Sequence, residues 1–374
     1  MLLSNTKNFG WRGRWIAWRN RVFASERFQR FAMRFPLTRP IARARARGLF
    51  DLVAGFTYSQ ILAACVQTGL LDLLAQGPLD AATISARIDL PAAGTERLLR
   101  GAAALGLVEP LGSGWALGSD GAALRGNRGI AEMVAHHHLL YADLADPVAL
   151  LRRGGGGGQL SRHWHYAESA GRGDADAVAA YSTLMATSQP LVAAQAVDSY
   201  RFDRHRRLLD VGGGEGAFLQ AVAERVPGIE LGLFDLPAVG ERARVRFDSA
   251  GLASRTQVFG GDFLCDSLPE GYDLVSLIRV LHDHDDGPAL ALLRAIHAAL
   301  PAGGRLFIAE PMARTPGAEP VGDAYFGFYL LAMGSGRPRS SVEIRAMLRE
   351  AGFAKSRVLA TAMPLTTSAI LANR

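Results

Sequence analysis

The chain has 374 residues, 49% of them apolar and 20% charged, which excludes a disordered protein and allows two or three domains. Its formal net charge of +6 combines a basic arm, residues 1–50 with twelve Lys and Arg against one acid, and a remainder with 29 bases against 34 acids. Two cysteines, Cys65 and Cys265, are too few for a disulfide framework or a zinc site, so we expect a reducing setting.

The first predicted element is an amphipathic helix over residues 11–22. Its apolar residues recur on one stripe of the helix, namely Trp11, Trp15, Trp18 and Val22. The arginines of this segment lie on the other faces. Such segments are typical of membrane interfaces, because indole sits at headgroup depth and arginine meets anionic lipid. Packing on the body or on a partner subunit is one alternative, and nucleic-acid binding is another.

The rest of the arm, to residue 48, continues the basic and aromatic character. Pro36 and Pro40 interrupt it before an Arg-Ala repeat over residues 43–47. We expect no signal peptide, because arginines interrupt its required apolar region, and no membrane span, because no apolar run reaches the roughly 20 residues that a bilayer requires. The prediction is a cytoplasmic protein in peripheral contact with the inner or intracytoplasmic membrane through residues 1–35.

Residues 49–125 are predicted to form three helices and a small hairpin, the outline of a winged helix. The helices and the hairpin turn are expected at residues 58–74, 81–87, 94–105 and 112–114. Gly77-Pro78 is expected to stop the first helix. The third helix offers a DNA groove only Arg97 and Arg100, too few for a recognition surface. We therefore expect this domain to have a structural or dimerising role rather than to bind nucleic acid.

Residues 126–200 are predicted to be a helical substrate or linker region with a flexible loop at residues 154–158, since five consecutive glycines hold neither helix nor strand. A metal site is one interpretation of the histidines in this region, which stand at positions 136, 137, 138, 163 and 165. However, neighbouring residues on a helix do not face one point, and no carboxylate or cysteine has helpful spacing. We expect polar surface or a pocket wall, and no metal.

From residue 201 onward, short buried strands alternate with helices. The strand at 208–211 ends in a glycine-rich turn, 212–216, that opens a helix, and this allows a ligand to approach the backbone closely. The next strand ends in Asp235, an acid suited to hold a ribose diol. Methyltransferases and dinucleotide-binding proteins share both features, so neither separates the two classes.

The later strands do separate them. The strand at 256–259 leads into Asp262 and Phe263, which are suited to the amino group and the face of an adenine ring. Further strands are expected at residues 272–278, 305–309, 357–361 and 368–371. Five strands alternating with helices and closed by a late hairpin predict an α/β fold with a seven-stranded, Rossmann-like methyltransferase sheet. A dehydrogenase would need a sixth parallel strand and a nicotinamide site.

Five motifs resemble the small-molecule O-methyltransferases that include the plant caffeate and flavonoid enzymes. They are Asp-Val-Gly-Gly-Gly-Glu-Gly (210–216), Phe-Asp-Leu-Pro (234–237), Gly-Gly-Asp-Phe (260–263), Arg-Val-Leu-His-Asp (279–283) and Ala-Glu-Pro (309–311). The resemblance covers about residues 50–374. It implies a winged-helix-like N-terminal dimerisation domain, hence a homodimer, and S-adenosylmethionine as the cofactor of residues 201–374.

The resemblance also implies which residues hold the cofactor. They are Gly212 and Gly214 on its methionine portion, Asp235 on the ribose with Leu236 beside it, Asp262 and Phe263 on adenine, and Arg279 near the nucleotide. Candidate walls of the substrate pocket, with plain core as the alternative, are Met185, Phe326, Tyr329 and Met333.

The candidate base is His282, which follows a strand end beside the expected cofactor cleft. The catalytic histidine of the family lies in the same Leu-His-Asp motif, and Glu310 matches the family acid that orients it. A second family acid belongs where this chain has Pro338, which cannot take that role. Asp283 is a further catalytic candidate as the neighbour of His282.

Within the resemblance, the arm and the helix after it carry a narrower likeness. Phe-Pro-Leu-Thr-Arg-Pro (35–40) and Leu-Phe-Asp-Leu-Val-Ala-Gly-Phe (49–56) resemble the carotenoid O-methyltransferases of purple phototrophic bacteria, the hydroxyneurosporene or demethylspheroidene type. This implies methylation of the tertiary hydroxyl of a 1-hydroxy carotenoid. The alternatives are a phenol or polyketide O-methyltransferase, which leaves the arm unexplained, and a winged-helix regulator with a cofactor-fold sensor, against which an intact His282 argues.

Overall fold

The computed structural model describes residues 10–162 and 189–374, which belong to two compact units, Met1–Asp120 and Gly121–Arg374. The helices are α1 (Gly10–Ala24), α2 (Glu26–Arg34), α3 (Arg39–Gln67), α4 (Leu70–Leu74), α5 (Ala81–Arg87), α6 (Ala92–Ala104), α7 (Ser119–Arg125), α8 (Arg128–Asp143), α9 (Pro147–Arg152), α10 (Ala217–Arg225), α11 (Pro237–Ser249), α12 (Asp286–Ala299), α13 (Gly327–Met333) and α14 (Ser341–Glu350). The strands are β1 (Val108–Leu111), β2 (Gly114–Leu117), β3 (Arg207–Val211), β4 (Glu230–Asp235), β5 (Thr256–Gly260), β6 (Leu274–Ile278), β7 (Arg305–Glu310), β8 (Lys355–Leu359) and β9 (Ser368–Asn373).

The long helix of the N-terminal unit differs from the sequence expectation in both bounds. A single helix over 58–74 is wrong, because α3 begins already at Arg39 and ends at Gln67, and α4 is separate. Pro40 lies in the first turn of α3, where a missing N–H costs nothing, so it starts the helix instead of breaking it. Gly69 has φ of 67°, a left-handed conformation that interrupts the helix ahead of Gly77.

This helix also bears on the expectation that the chain has no membrane span. Within the described residues, α3 is long and apolar enough, by length and composition alone, to cross a membrane. Only 11% of its apolar window is buried. Its exposed large apolar side chains are Ile41, Leu49, Phe50, Leu52, Val53 and Phe56. The helix therefore presents an apolar surface that residues 10–162 and 189–374 do not cover.

The remainder of the N-terminal unit follows the expected winged-helix outline. β1 and β2 form the antiparallel hairpin, in which Val108 pairs with Leu117, and Leu79 bridges Trp115. Helices α4, α5 and α6 contribute the buried apolar residues Leu70, Leu71, Leu74, Ile84 and Leu99. On α6, Arg100 donates to Glu96 at 2.7 Å, so one of the two basic residues that could face DNA is already ion-paired.

The C-terminal unit contains the seven-stranded sheet, in the order β5-β4-β3-β6-β7-β9-β8. β3 to β7 are parallel, whereas β9 runs antiparallel between β7 and β8, so the predicted late hairpin is confirmed. Alternate residues of β7 enter two separate cores: Leu306 and Ile308 pack on one face, Phe307 and Ala309 on the other. Helices cover both faces, which explains why the central strands read as continuous apolar runs.

The glycine loop is anchored rather than open, which corrects the expectation of a flexible loop. The N–H of Gly156 donates to the carbonyl of Leu331 at 2.8 Å, and Arg153 donates to the carbonyl of Gly156 at 2.7 Å. At the end of the loop, a Cβ on Gly158 would overlap the carboxylate of Asp143. Glycine is needed here because backbone and carboxylate come so close.

Candidate active site

The glycine turn after β3 is shaped by close contacts on both sides. Gly212 and Gly214 have φ of 69° and 60°. A Cβ on Gly212 would lie 2.8 Å from the side chain of Val280, so the turn admits only glycine there. Just before the turn, the buried Asp210 accepts from the hydroxyl of Ser276 at 2.6 Å, and burial raises the pKa of Asp210 to about 7.

Asp235 joins the end of β4 to this turn. Its carboxylate accepts from the N–H of Gly214 and from the N–H of Leu236, each at 2.7 Å. Burial raises the pKa of Asp235, and these two hydrogen bonds oppose that effect. The acid expected to hold a ribose is thus locked against the glycine turn.

The adenine candidates follow β5 at the same edge of the sheet. Asp262 accepts from the N–H of Leu264 at 2.8 Å, which fixes the carboxylate in its loop. Phe263 packs edge-on against the ring of His284, with centroids 5.3 Å apart, and lies beside Gly212. Because the carboxyl ends of parallel strands meet at one edge, the glycine turn, Asp235 and Phe263 form one cradle that fits a nucleoside with an extended chain.

His282 lies in a short helical turn, Leu281–Asp283, immediately after β6. Arg279, just ahead of it, has φ of 56° and donates its N–H to the carbonyl of Ala309 on β7 at 2.8 Å. This sharp exit from the strand turns the side chain of His282 back over the sheet edge, where it is only 3% exposed. A positive φ at arginine is strained, and such strain is common near functional sites.

Two carboxylates flank the imidazole. Nδ1 of His282 lies 3.4 Å from Oε2 of Glu310, and the backbone N–H of His282 donates to the same oxygen at 3.2 Å. On the other side, Nε2 lies 3.2 Å from Oδ1 of Asp283. Glu310 is fully buried at the end of β7, and its second oxygen has no hydrogen-bond partner among the described residues. The structure thus brings together the three residues that the sequence singled out for catalysis.

These neighbours set the protonation of the base. Burial lowers the pKa of His282, but Asp283 and Glu310 together outweigh it, so the pKa is raised above its usual value. The positive charge of Arg279 opposes the two carboxylates. The imidazole is therefore a stronger base than an ordinary histidine.

Aromatic side chains stand beside His282. Phe326 packs edge-on against its ring at 5.9 Å, and Tyr329 lies 6.5 Å from Phe326. Met333 is buried in a cluster with Leu140, Leu150 and Leu160. Met185 lies outside the described residues, as do the histidines at 163 and 165. The structure thus places Phe326 beside His282, the candidate base, and Met333 within a packed core.

Sequence reasoning missed the partners of the histidine run on α8. The hydroxyl of Tyr325 lies 2.8 Å from Nε2 of His137, and the hydroxyl of Tyr329 lies 3.3 Å from Nε2 of His136. Burial raises the pKa of Tyr325 to about 12, so this phenol stays protonated. The described residues contain no cluster of potential metal ligands. His136 and His137 are polar partners of partly buried tyrosines, whereas His138 contacts the carbonyl of Ala135, and the spacing Tyr-Phe-x-x-Tyr was the signal available in the sequence.

Comparison with known proteins identifies the family. Residues 141–354 match the model of the O-methyltransferase domain, and residues 50–117 match that of the O-methyltransferase dimerisation domain, which supports a homodimer. The chain is 45% identical to the demethylspheroidene O-methyltransferase of Cereibacter sphaeroides, over 95% of this chain and 94% of that protein. It is 40% identical to the protein of the same name from Rhodobacter capsulatus, over 95% and 88%.

A solved structure of a methyltransferase has the same fold as this chain. The human N-acetylserotonin methyltransferase in complex with S-adenosylmethionine superimposes with a TM-score of 0.71 and 25% identity, covering 88% of this chain and 97% of that one. The predicted cofactor, S-adenosylmethionine, and the predicted methyltransferase fold are both confirmed by this likeness together with the family match.

Proposed function

The chain belongs to the S-adenosylmethionine-dependent O-methyltransferases, and we propose that its substrate is a 1-hydroxy carotenoid of the hydroxyneurosporene or demethylspheroidene type, methylated on the tertiary hydroxyl. One observation carries this proposal. The two relatives named for demethylspheroidene align over 95% of the chain, whereas the dimerisation model begins only at residue 50. Most of the basic aromatic arm is therefore shared with those relatives.

The cofactor, when bound, supplies an electrophilic methyl group. We assign its methionine portion to Gly212 and Gly214, its ribose to Asp235 with Leu236, and its adenine to Asp262 and Phe263, in keeping with the cradle at the sheet edge. Arg279 contributes a positive charge next to this cradle. These residues would hold the cofactor beside His282, where its methyl group would meet the substrate oxygen and not the imidazole.

His282 removes the proton of the substrate hydroxyl. The contact of Nδ1 with Glu310 favours the tautomer that has its proton on Nδ1, so Nε2 is unprotonated and can accept the proton of the substrate. Asp283, 3.2 Å from Nε2, stabilises the imidazolium as it forms. A tertiary alcohol is far less acidic than a phenol, so proton removal accompanies methyl transfer instead of preceding it.

The arm brings the enzyme to a water-insoluble substrate. The three tryptophans of α1 remain exposed, Trp11 at 76%, Trp15 at 49% and Trp18 at 59%. The guanidinium of Arg19 lies over the ring of Trp15 at 5.2 Å, which places charge and indole at one level. We propose that residues 1–35 rest on the cytoplasmic surface of an anionic membrane and that Phe326 and Tyr329 line the path of the polyene, whereas Met333 belongs to the packed core.

The test is incubation with methyl-labelled S-adenosylmethionine and one acceptor at a time: 1-hydroxyneurosporene, demethylspheroidene or caffeate. We expect label in both carotenoids and none in caffeate. Labelling of caffeate alone would instead establish a phenol O-methyltransferase. No labelling of any acceptor, combined with salt-dependent binding to DNA, would favour the regulator.

A further inference from the structure

The segment after α13 runs along the turn that carries His282. Here the N–H of Arg337 donates to the carbonyl of His282 at 2.9 Å, and the hydroxyl of Ser335 donates to the carbonyl of Asp283 at 3.1 Å. Gly336, with φ of 76°, lies so close that a Cβ there would overlap the carbonyl of His282. The backbone of the turn is therefore held along its length by a distant part of the chain.

Arg339 completes this contact from inside the protein. Its guanidinium is fully buried and donates to the carbonyl of Leu281 at 2.7 Å and to the carbonyl of His284 at 2.8 Å. It also donates to the carboxylate of Asp286, at 2.9 Å and 2.7 Å. Leu281 and His284 flank His282 and Asp283, so one planar group ties both ends of the turn.

The contacts of Arg339 with this turn matter because the imidazole of His282 has only weak contacts of its own with neighbouring side chains. The distance of 3.4 Å from Nδ1 to Glu310 is at the long end of hydrogen bonding, and Asp283, 3.2 Å from Nε2, is an ion-pair neighbour and not a hydrogen-bond partner. Pro338 offers the ring no further carboxylate. The position of the imidazole is therefore decided mainly by the backbone of its turn. A buried guanidinium is expensive unless it is fully paired, and every partner of Arg339 lies on or next to this turn.

We propose that Arg339 is a positioning residue for methyl transfer, which holds the turn so that the imidazole of His282 stays between Glu310 and Asp283. The proposal rests on the role of His282 as base. Arg339 does not contact the imidazole itself and acts only through the backbone of the turn. It thereby supplies by backbone anchoring some of the rigidity that a second acid would give.

The experiment compares Arg339→Met with Arg337→Met. Arg337 is a matched control, because its side chain pairs with the same Asp286 and with Glu343 but meets the turn only through its backbone. We expect Arg339→Met to lower kcat at least 10-fold, since a small misplacement of a catalytic group is costly, with unchanged affinity for S-adenosylmethionine. Arg337→Met is expected to change kcat less than 2-fold, because exposed ion pairs contribute little.

A second readout needs no acceptor. In histidine-labelled protein, the NMR titration of His282, assigned by the loss of its signal in His282→Gln, reports how the ring sits between its neighbours. The charged groups that face it are Asp283, Glu310 and Arg279. In Arg339→Met the ring moves from the two carboxylates, so its pKa is expected to fall toward the ordinary value, whereas Arg337→Met keeps the wild-type titration.

Arg339→Lys guards against a variant that fails to fold, since it retains the charge but cannot bridge both carbonyls. We expect it to give intermediate kcat and an intermediate pKa of His282. Identical kcat and titration in the Arg339 and Arg337 variants would overturn the proposal, as would a shifted titration without loss of turnover. A wrong carotenoid assignment would appear separately, as a wild-type enzyme inactive on carotenoids whose His282 still responds to Arg339→Met.

Discussion

Oε2 of Glu310 contacts His282 twice, at Nδ1 of the ring and at the backbone N–H. One carboxylate oxygen thus contacts both the imidazole and the backbone of the turn that carries it. Because Glu310 is fully buried at the end of β7, this arrangement also ties the base to the centre of the sheet. Five predictions follow from these contacts and from the surfaces described above.

His282→Ala is expected to reduce turnover about 100- to 10,000-fold, the contribution typical of a general base. Affinity for S-adenosylmethionine, measured by calorimetry, should stay within 2-fold, since the cofactor cradle is built from other segments. His297→Ala, on α12 away from the sheet edge, serves as control and should retain activity. Turnover that survives His282→Ala would remove the residue from the mechanism.

Glu310→Gln is expected to lower kcat at least about 100-fold with little change in KM. The amide has nearly the same shape, but it is neutral and can present N–H to Nδ1, which favours the wrong tautomer of His282. Steady-state kinetics with the unmethylated carotenoid as the varied acceptor measures the effect. An equal loss in kcat and in folded fraction, judged by thermal unfolding, would indicate a merely structural role.

Turnover should rise with pH through the pKa of His282, because the base must be neutral to accept a proton. That pKa is raised, so the midpoint of the rise is expected above the ordinary histidine value of about 6.5. Asp283→Asn removes the leading cause of the increase and should move the midpoint to lower pH. A midpoint at or below 6.5 in the wild type, or one insensitive to Asp283→Asn, contradicts the geometry.

Deleting residues 1–35 should weaken binding to vesicles that contain anionic lipid, most visibly at low salt, because charge attraction is screened at high salt. Binding of S-adenosylmethionine should be unaffected. Replacing Trp11, Trp15 and Trp18 by alanine separates the apolar contribution, which is expected to persist at high salt. A truncated protein that still sediments with vesicles would point to the exposed face of α3 as the anchor.

Gly158→Ala should destabilise the protein by about 1–3 kcal/mol, the usual range for overpacking, since the added methyl would overlap the carboxylate of Asp143. That carboxylate accepts from the N–H groups of Gln159 and Leu160, at 2.6 Å and 2.9 Å, and cannot move freely. Gly228→Ala, where nothing lies within 4 Å, is the control. Denaturant unfolding of both variants measures the difference.

The strand and glycine patterns of the C-terminal half could be predicted almost completely. The central strands, covered on both faces, are continuous apolar runs, and the candidates for cofactor binding and catalysis lie at or shortly after the ends of strands. Because the carboxyl ends of parallel strands meet at one edge, sequence order alone was enough to expect Asp235, Asp262 and His282 near each other.

The helical regions were predicted less well, for local reasons. Proline can start a helix as easily as end one, so Pro40 did not reveal that α3 begins at Arg39. Glycine at 69 rather than 77 takes the left-handed conformation that interrupts the helix. Five glycines in a row predicted flexibility, and only the positions of Asp143 and Leu331 made them a tight fit.

The sequence by itself determined the class of fold, because periodicity and strand-end position are local properties of the chain, and the resemblance of its motifs indicated the family and the candidate acids and histidine at the sheet edge. Tertiary structure alone decided what holds the base in place. Arg339 meets Leu281 from 58 residues away, and Tyr325 meets His137 across 188 residues. Such contacts depend on how loops and helices pack on the sheet, and an arginine in a loop carries no local sign that it will be fully buried.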